Sequence, residues 1–290
     1  MSRLGFLLMA VLPSVAAAQG GSDWTNPREP FQIADDVYYV GTEGLAAFLF
    51  TSEQGHILID APLDENVPQI LASIRRLGFD PADIEIQLAS HAHLDHVGGL
   101  ARMGEATGAD LVLSAADAAY VREGRDFGLD GITAGYPAAR VARTVGHLET
   151  VRLGDIALTA HLTPGHTPGC TSWGGTVEIG GRPYEFISVC SLSVLGNYEL
   201  AGDEPTYRGQ ARDYCTSLAH LEGLDPDIFL GAHGGWFGID EKQARRVAGD
   251  ATAFVEGEMY REYLARAREG IERRLADSGY GGGCAALVGR

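Results

Sequence analysis

The sequence predicts an α/β protein in which two β-rich halves are each flanked by helices. Short apolar runs typical of buried strands alternate along the chain with stretches of helical apolar spacing. Several of the strand-like runs also end in loops that carry histidine, and such loops meet when their strands end at one edge. With 290 residues and no repeat, linker or low-complexity run, we expect a single domain over residues 19–290.

The first half of the chain alternates strands and helices. Apolar runs broken by glycine-rich turns predict strands over 37–40, 46–51, 56–60, 84–89 and 110–113. Apolar residues at helical spacing predict helices over 67–77 and 99–107. A third helix is expected to begin at Ser114, since Ser114 and Asp117 form a capping-box pattern.

The second half begins with a strand over 156–162 and a hairpin, and ends in helices. Its remaining predicted strands are 171–178, 183–189 and 228–230. It has a predicted helix over 210–221, and the segment 241–276 is predicted to be largely helix.

The most informative segment reads His-Ala-His-Leu-Asp-His and follows the strand over 84–89 directly. Its potential metal ligands are His91, His93, Asp95 and His96. Neutral imidazole and carboxylate suit zinc at roughly 2.0–2.2 Å. A catalytic zinc usually keeps three protein ligands and one open position, so four ligands in one loop indicate two metals side by side.

Two further histidines occur in the same setting. His166 lies in the Thr-Pro-Gly-His-Thr-Pro-Gly loop at 163–169, and His233 lies in Gly-Ala-His-Gly-Gly at 231–235. Each loop follows an apolar strand, and its glycines let the backbone approach closely. We therefore expect both histidines at the metal site. The remaining histidines lack this setting and are interpreted as surface or packing residues: His56, His147, His161 and His220.

These motifs, in this order, resemble the metallo-β-lactamase superfamily over about residues 36–236, and within it subclass B3. Because His96 follows Asp95, a second metal needs no cysteine ligand. Glyoxalase II and lactonase relatives carry a bridging aspartate where this chain has 187–194, a segment without a carboxylate. The lysine that anchors substrate in subclass B1 is also absent, since the only lysine, Lys242, lies far from the motifs.

The resemblance implies a four-layer αβ/βα sandwich with two mixed sheets, two zinc ions and a β-lactam substrate. One zinc would be held by His91, His93 and His166, and the other by Asp95, His96 and His233. Two zinc ions lower the pKa of a shared water to around 7, which supplies a nucleophile. The resemblance also implies that Asp95 has a catalytic role as well as a ligand role.

Further residues of the predicted active site also rest on the resemblance. Ser191 and Ser193 match a serine pair that binds the substrate carboxylate, and Tyr198 matches a tyrosine near the substrate carbonyl. A packed tyrosine with a satisfied hydroxyl is the alternative for Tyr198. The segments 120–137 and 24–31 are expected to form walls of the site, although ordinary surface chain is the alternative for both.

Four cysteines allow three pairings. We favour Cys170 with Cys190, since both lie near the ends of the predicted hairpin strands, which leaves Cys215 and Cys284 to tether the C-terminal tail to a helix. The alternative is that Cys190 binds metal.

Residues 1–18 predict a secretory signal: Arg3, an apolar stretch, then Ala-Ala-Ala before Gln19. A lipoprotein anchor requires a cysteine near the cleavage point, and none lies there. We therefore expect export to a periplasm, where disulfides persist, with no membrane anchor. The formal charge of −17 argues against nucleic-acid partners, because these require basic residues that neutralise phosphates. We expect a monomer.

Two other functions are open at this stage. The first is another hydrolase of the same scaffold, acting on a lactone, a thioester or a phosphodiester. The second is a non-catalytic zinc-binding or partner-binding protein that has kept its ligands.

Overall fold

The computed structural model describes residues 23–129 and 132–289, and these form two mixed β-sheets. The seven strands of the first sheet lie in chain order: β1 Phe31–Ala34, β2 Val37–Tyr39, β3 Phe48–Ser52, β4 Gly55–Ile59, β5 Ile84–Leu88, β6 Asp110–Ser114 and β7 Val141–Val145. Neighbouring strands from β1 through β4 pair antiparallel, and neighbouring strands from β4 through β7 pair parallel.

The second sheet has five strands: β8 Thr150–Leu153, β9 Ile156–Leu162, β10 Thr171–Ile179, β11 Arg182–Val189 and β12 Ile228–Gly231. Their spatial order is β12-β11-β10-β9-β8, and only the pairing of β11 with β12 is parallel. The helices of the described chain are α1 Val67–Arg76, α2 Leu94–Val97, α3 Leu100–Thr107, α4 Ala115–Glu123, α5 Gln210–Glu222, α6 Ile239–Val247, α7 Gly257–Asp277 and α8 Gly283–Val288.

The two sheets pack face to face and each carries helices on its outer face. Phe50 of β3 contacts Phe186 of β11 with ring centroids 5.3 Å apart, which places an aromatic core between the sheets. On the first sheet, α1, α3 and α4 bury a separate apolar cluster that includes Ile70 and Met103. On the second, Tyr260 of α7 packs on Phe229 of β12. This confirms the predicted αβ/βα sandwich, in which each sheet hides both faces from water.

The predicted strands and helices are present, most within two residues of the expected ends. Three strands were not predicted, β1, β7 and β8. The middle of β7 is polar and exposed, so it shows no alternating apolar pattern. The segment 241–276 is largely helical, as predicted, and is divided into α6 and α7. Gly249 adopts a φ of 99°, and the Asp250 carboxylate accepts a hydrogen bond from the Thr252 amide, which forms a turn between α6 and α7.

Both favoured disulfides are present, Cys170–Cys190 and Cys215–Cys284. The first joins the start of the hairpin β10–β11 to the segment that follows it. The second joins α5 to α8, and its Cα atoms lie 5.1 Å apart. The alternative that Cys190 binds metal is therefore wrong, because a disulfide sulfur is not a thiolate.

The predicted secretory signal at 1–18 lies outside the described residues. Within the part of the chain that the structure describes, no helix is both long and apolar enough to cross a membrane.

We predict that Cys215→Ala with Cys284→Ala lowers the free energy of unfolding by about 2–4 kcal/mol, because the bond restricts a long loop of the unfolded chain. Urea unfolding of the purified variant and wild type, under identical conditions, measures the difference. Activity of the folded variant should be unchanged, since neither residue lines the cavity described below. Equal unfolding midpoints for variant and wild type would contradict a stabilising role for this bond.

Candidate metal centre

The potential ligands lie in loops that leave the carboxyl ends of three strands. The loop after β5 carries His91, His93, Asp95 and His96, the loop after β9 carries His166, and His233 follows β12 by two residues. Open sheets commonly place their sites at such strand ends, because the loops there project to the same edge. The two sheets thus contribute ligands to one place, as the sequence predicted.

The first group of ligands consists of His91, His93 and His166. One ring nitrogen from each lies within 4.8 Å of the other two, and all three side chains are buried. His93 Nδ1 and His166 Nε2 are 3.0 Å apart. The Nε2 atom of His91 is buried and has no hydrogen-bond partner within the described residues. A buried polar atom without a partner is costly, so this nitrogen indicates an absent ligand.

The other nitrogen of each imidazole in this group is held by an acceptor. His93 Nε2–H donates to the carbonyl of Phe127 at 3.0 Å, and His166 Nδ1–H donates to the carbonyl of Ser193 at 2.7 Å. His91 Nδ1 lies 3.1 Å from the hydroxyl of Ser90. These contacts set the tautomer and the ring orientation, which is the usual arrangement for histidine that binds metal.

The second group consists of Asp95, His96 and His233. His96 Nε2 lies 3.2 Å from His233 Nε2 and 3.2 Å from Asp95 Oδ2, and His233 Nε2 lies 3.5 Å from the same oxygen. His91 connects the two groups, since it also forms a close set with Asp95 and His96. The two groups are therefore adjacent rather than separate sites.

Asp60, which sequence analysis did not single out, orients two of the histidines. It accepts hydrogen bonds from the amide and hydroxyl of Ser90 at 2.7 and 2.8 Å, and Ser90 in turn contacts His91. Its Oδ2 lies 3.5 Å from His96 Nδ1. Asp60 has a positive φ of 64°, a conformation that aspartate tolerates better than most residues. The sequence signal that could have identified Asp60 is its position as a carboxylate directly after the apolar strand β4.

Asp117, also missed, joins two ligand loops. Its carboxylate accepts hydrogen bonds from the amide of Ala92 at 2.9 Å, the amide of Gly169 at 2.8 Å and the hydroxyl of Thr167 at 2.7 Å. The predicted capping pattern of α4 is present, since the Ser114 hydroxyl accepts a hydrogen bond from the Asp117 amide. The pattern does not reveal where the Asp117 side chain points.

Burial favours the neutral, ligand-competent form of most of these imidazoles. It lowers the pKa of His91 and His166 well below the ordinary value, and that of His93 and His233 to about 4. His96 differs. Burial lowers its pKa as well, but the neighbouring Asp95 and Asp60 outweigh burial and raise it to about 10.

The donor set fits a metal such as zinc. Imidazole and carboxylate are typical zinc ligands, and most of these imidazoles are neutral in the protein. A third close group contains His91 with Cys170 and Cys190, but both sulfurs are in a disulfide and offer no thiolate. Within residues 23–129 and 132–289, the two histidine groups are therefore the sites that can hold metal.

A cavity of about 1020 Å³ opens above the ligands. His93, Asp95, His96, His166 and His233 line its base. Both predicted wall segments contribute to it: Trp24 comes from the segment 24–31, and Asp126, Leu129, Ile132 and Thr133 come from the segment 120–137.

Ser191 and Ser193 also line the cavity, and their hydroxyl oxygens lie 2.7 Å apart. Tyr198 lies elsewhere. It is fully buried, is not among the lining residues, and donates a hydrogen bond to the carbonyl of His166 at 2.7 Å. Its oxygen is 3.1 Å from His93 Nε2. Tyr198 thus contacts two predicted ligands on the side away from the cavity. This matches the alternative of a packed tyrosine whose hydroxyl is hydrogen-bonded.

The four histidines assigned to packing or surface positions lie outside both ligand groups. His56 is buried against Phe79 with ring centroids 5.2 Å apart. His161 Nδ1 and His220 Nε2 are 2.9 Å apart, and His147 packs against His220.

Comparison with known proteins agrees with this geometry. Residues 41–177 match the family model of the metallo-beta-lactamase superfamily. BJP-1, a subclass B3 metallo-beta-lactamase of Bradyrhizobium japonicum, is 38% identical with a TM-score of 0.84, covering 89% of this chain and 97% of that one. The native FEZ-1 metallo-beta-lactamase of Legionella gormanii is 36% identical with a TM-score of 0.85, covering 89% and 99%.

A curated relative carries a broader name. A protein of Anaeromyxobacter dehalogenans named as a metal-dependent hydrolase is 29% identical over 210 residues, which is 71% of this chain and 68% of the relative. Because the identity to whole solved structures exceeds 30%, and because the ligand geometry is complete, the family follows. The chain belongs to the metallo-β-lactamase superfamily and resembles its subclass B3.

Proposed function

We propose that the protein is an exported zinc hydrolase that opens the amide bond of β-lactam antibiotics, among them penicillins, cephalosporins and carbapenems. The observation that carries the proposal is the pair of adjacent ligand groups at the base of an open cavity. The similarity to subclass B3 enzymes over nearly their whole length supports it. The disulfides and the predicted secretory signal favour a periplasmic location.

Two zinc ions per chain are proposed, one for each group. His91, His93 and His166 would hold the first, and Asp95, His96 and His233 the second. When bound, zinc supplies Lewis acidity that polarises a carbonyl and lowers the pKa of a water. The protein needs no serine or cysteine nucleophile for such a reaction.

The residues around the ligands would bind and orient the substrate. The hydroxyls of Ser191 and Ser193 line the cavity beside His166 and are proposed to donate hydrogen bonds to the substrate carboxylate. Ser193 serves the site twice, because its carbonyl accepts from both His166 Nδ1 and the Tyr214 hydroxyl at 2.7 Å. We propose that Tyr198 positions His93 and His166 instead of contacting the substrate carbonyl.

The alternative is another hydrolase of the same superfamily, acting on a lactone, a thioester or a phosphodiester. The curated relative's name, metal-dependent hydrolase, is compatible with it. The β-lactam is preferred because the segment 187–194 places serines at the cavity where lactonase and thioesterase relatives would carry a bridging aspartate.

We predict that purified protein with added zinc hydrolyses a carbapenem and a chromogenic cephalosporin, and that a chelator abolishes turnover until zinc is restored. The measurement is the loss of β-lactam absorbance, with a lactone and a glutathione thioester assayed in parallel. No β-lactam turnover from a folded sample that holds two zinc ions per chain would refute the proposed activity. Faster turnover of the lactone or thioester would favour the alternative.

We predict that His166→Ala or His233→Ala reduces β-lactam turnover at least roughly a hundredfold, the scale expected for loss of a metal-site group. Each variant should also bind less zinc, as measured by elemental analysis. His220→Ala is the matched control, because His220 lies outside both groups. A near wild-type rate in either ligand variant would remove that histidine from the site.

We predict that Asp60→Asn lowers zinc affinity by about 10- to 100-fold, because it removes the charge that orients His91 through Ser90 and faces His96. Asparagine also tolerates the positive φ, so the fold should be preserved. Competition with a chromophoric chelator measures the affinity. Asp83→Asn, at an exposed position, is the control and should leave affinity unchanged. Equal affinities for the two variants would refute the orienting role of Asp60.

A further inference from the structure

The cavity has a one-sided charge. Six of its lining residues carry a carboxyl group, and none of the lining residues within 23–129 and 132–289 is lysine or arginine. Two of the carboxyls lie inside: Asp95 belongs to the ligand set, and the buried Asp126 bonds to the Leu94 amide and the Thr133 hydroxyl. The other four are exposed and define what we call the acidic rim: Asp23, Glu43, Asp240 and Glu241.

Only part of the rim's charge is offset. Arg28 donates to Asp240 at 2.5 Å, which pairs one of the four carboxylates. Glu43 accepts from Asn26, a neutral amide that leaves the charge in place. Asp23 and Glu241 have no ion pair with any residue that the structure describes. The position of Asp240 and Glu241 in the first turn of α6 stabilises that helix, but it does not explain why cations are missing from the cavity.

The base of the cavity has the opposite character once metal is bound. The six ligands include a single carboxylate, Asp95, so two divalent cations would leave the base positive. The unpartnered, buried His91 Nε2 lies in the first ligand group, next to His93 and His166, which line this base. A substrate in the cavity therefore meets a positive floor and a negative rim.

We propose that the acidic rim selects β-lactams whose side chain, at the end remote from the ring carboxylate, carries a positively charged group. The ring carboxylate faces the metals and the serine pair, and the side chain extends toward Asp23, Glu43 and Glu241. A second anionic group on the side chain is disfavoured for the same reason. This selectivity rests on the proposed β-lactam hydrolysis.

The expected size of the effect follows from the exposure of the rim. Clefts lined by charges of one sign raise association rates by roughly 10-fold or more at low ionic strength. Exposed charges are screened over about 8 Å at physiological salt, so the effect should fall as salt is added. We expect a roughly three- to tenfold preference at low salt, which declines toward unity near about 0.5 M salt.

The experiment uses three penicillins with one ring system and a phenylacetyl side chain that carries hydrogen, an ammonium group or a carboxylate at its α-carbon. kcat/KM is measured for the zinc-loaded protein at low and high salt. The variant is Asp23→Asn with Glu241→Gln, which removes two rim charges and changes none of the six potential ligands. The control is Glu105→Gln with Asp155→Asn, which removes two exposed charges elsewhere. Comparing each variant with wild type cancels the intrinsic reactivity of the three substrates.

The ammonium-to-carboxylate ratio of kcat/KM should fall at least roughly threefold in the rim variant and stay constant in the control, with the wild-type ratio declining as salt rises. An unchanged ratio in the rim variant, or a wild-type ratio independent of salt, overturns the selectivity while the neutral penicillin is still hydrolysed. No turnover of any of the three overturns the proposed function and the selectivity together.

Discussion

The metal centre depends above all on the hydrogen bonds that the buried Asp117 carboxylate accepts from two ligand loops. The amide of Ala92 lies between two ligands of the first loop, and Thr167 and Gly169 follow His166 in the second. Burial raises the pKa of Asp117 to about 6, and these hydrogen bonds act against that rise. A buried carboxylate is tolerated only where donors surround it, so the loops and the aspartate keep each other in place. Because the loops leave β5 and β9, this contact also ties the ligand-bearing ends of the two sheets together.

A second layer of contacts orients the potential ligands. Ring nitrogens that do not face the ligand groups contact the carbonyls of Phe127 and Ser193 and the hydroxyl of Ser90, and His96 Nδ1 faces Asp60 at 3.5 Å. Ser193 belongs to the segment that lines the cavity, so a residue proposed to bind substrate also orients a ligand. Substrate binding and metal binding therefore share supports. A change in the segment 190–193 would affect both, which is why the disulfide Cys170–Cys190 at its start matters for the site.

The walls of the cavity differ in character from its base, where the potential ligands lie. Trp24, Leu129, Ile132 and Trp236 supply apolar surface, and the carboxylates of the acidic rim stand at its opening. The fold is shared with many hydrolases, so the reaction class rests on the ligands, while the choice of substrate rests on these walls. The acidic composition of the whole chain argues only for solubility and against polyanions. The acidic rim places four carboxylates at one cavity, and the proposed preference for a cationic side chain rests on that placement and not on composition.

The sequence by itself determined the α/β class, the order of most strands, the six potential ligands and the favoured cysteine pairing. Each of these leaves a local signature: apolar periodicity, a dense His-x-His-x-Asp-His run, or loops between hairpin strands. Only the tertiary structure decided the roles of Asp60 and Asp117, the buried position of Tyr198 and the membership of the acidic rim. These depend on residues far apart in the chain, such as Asp117 with Gly169 or Asp23 with Glu241, and no local pattern reports where such side chains point. The sequence predicted a largely helical segment over 241–276, and the structure located its break. That turn depends on the positive φ of Gly249 and on the hydrogen bond from the Thr252 amide to the Asp250 carboxylate.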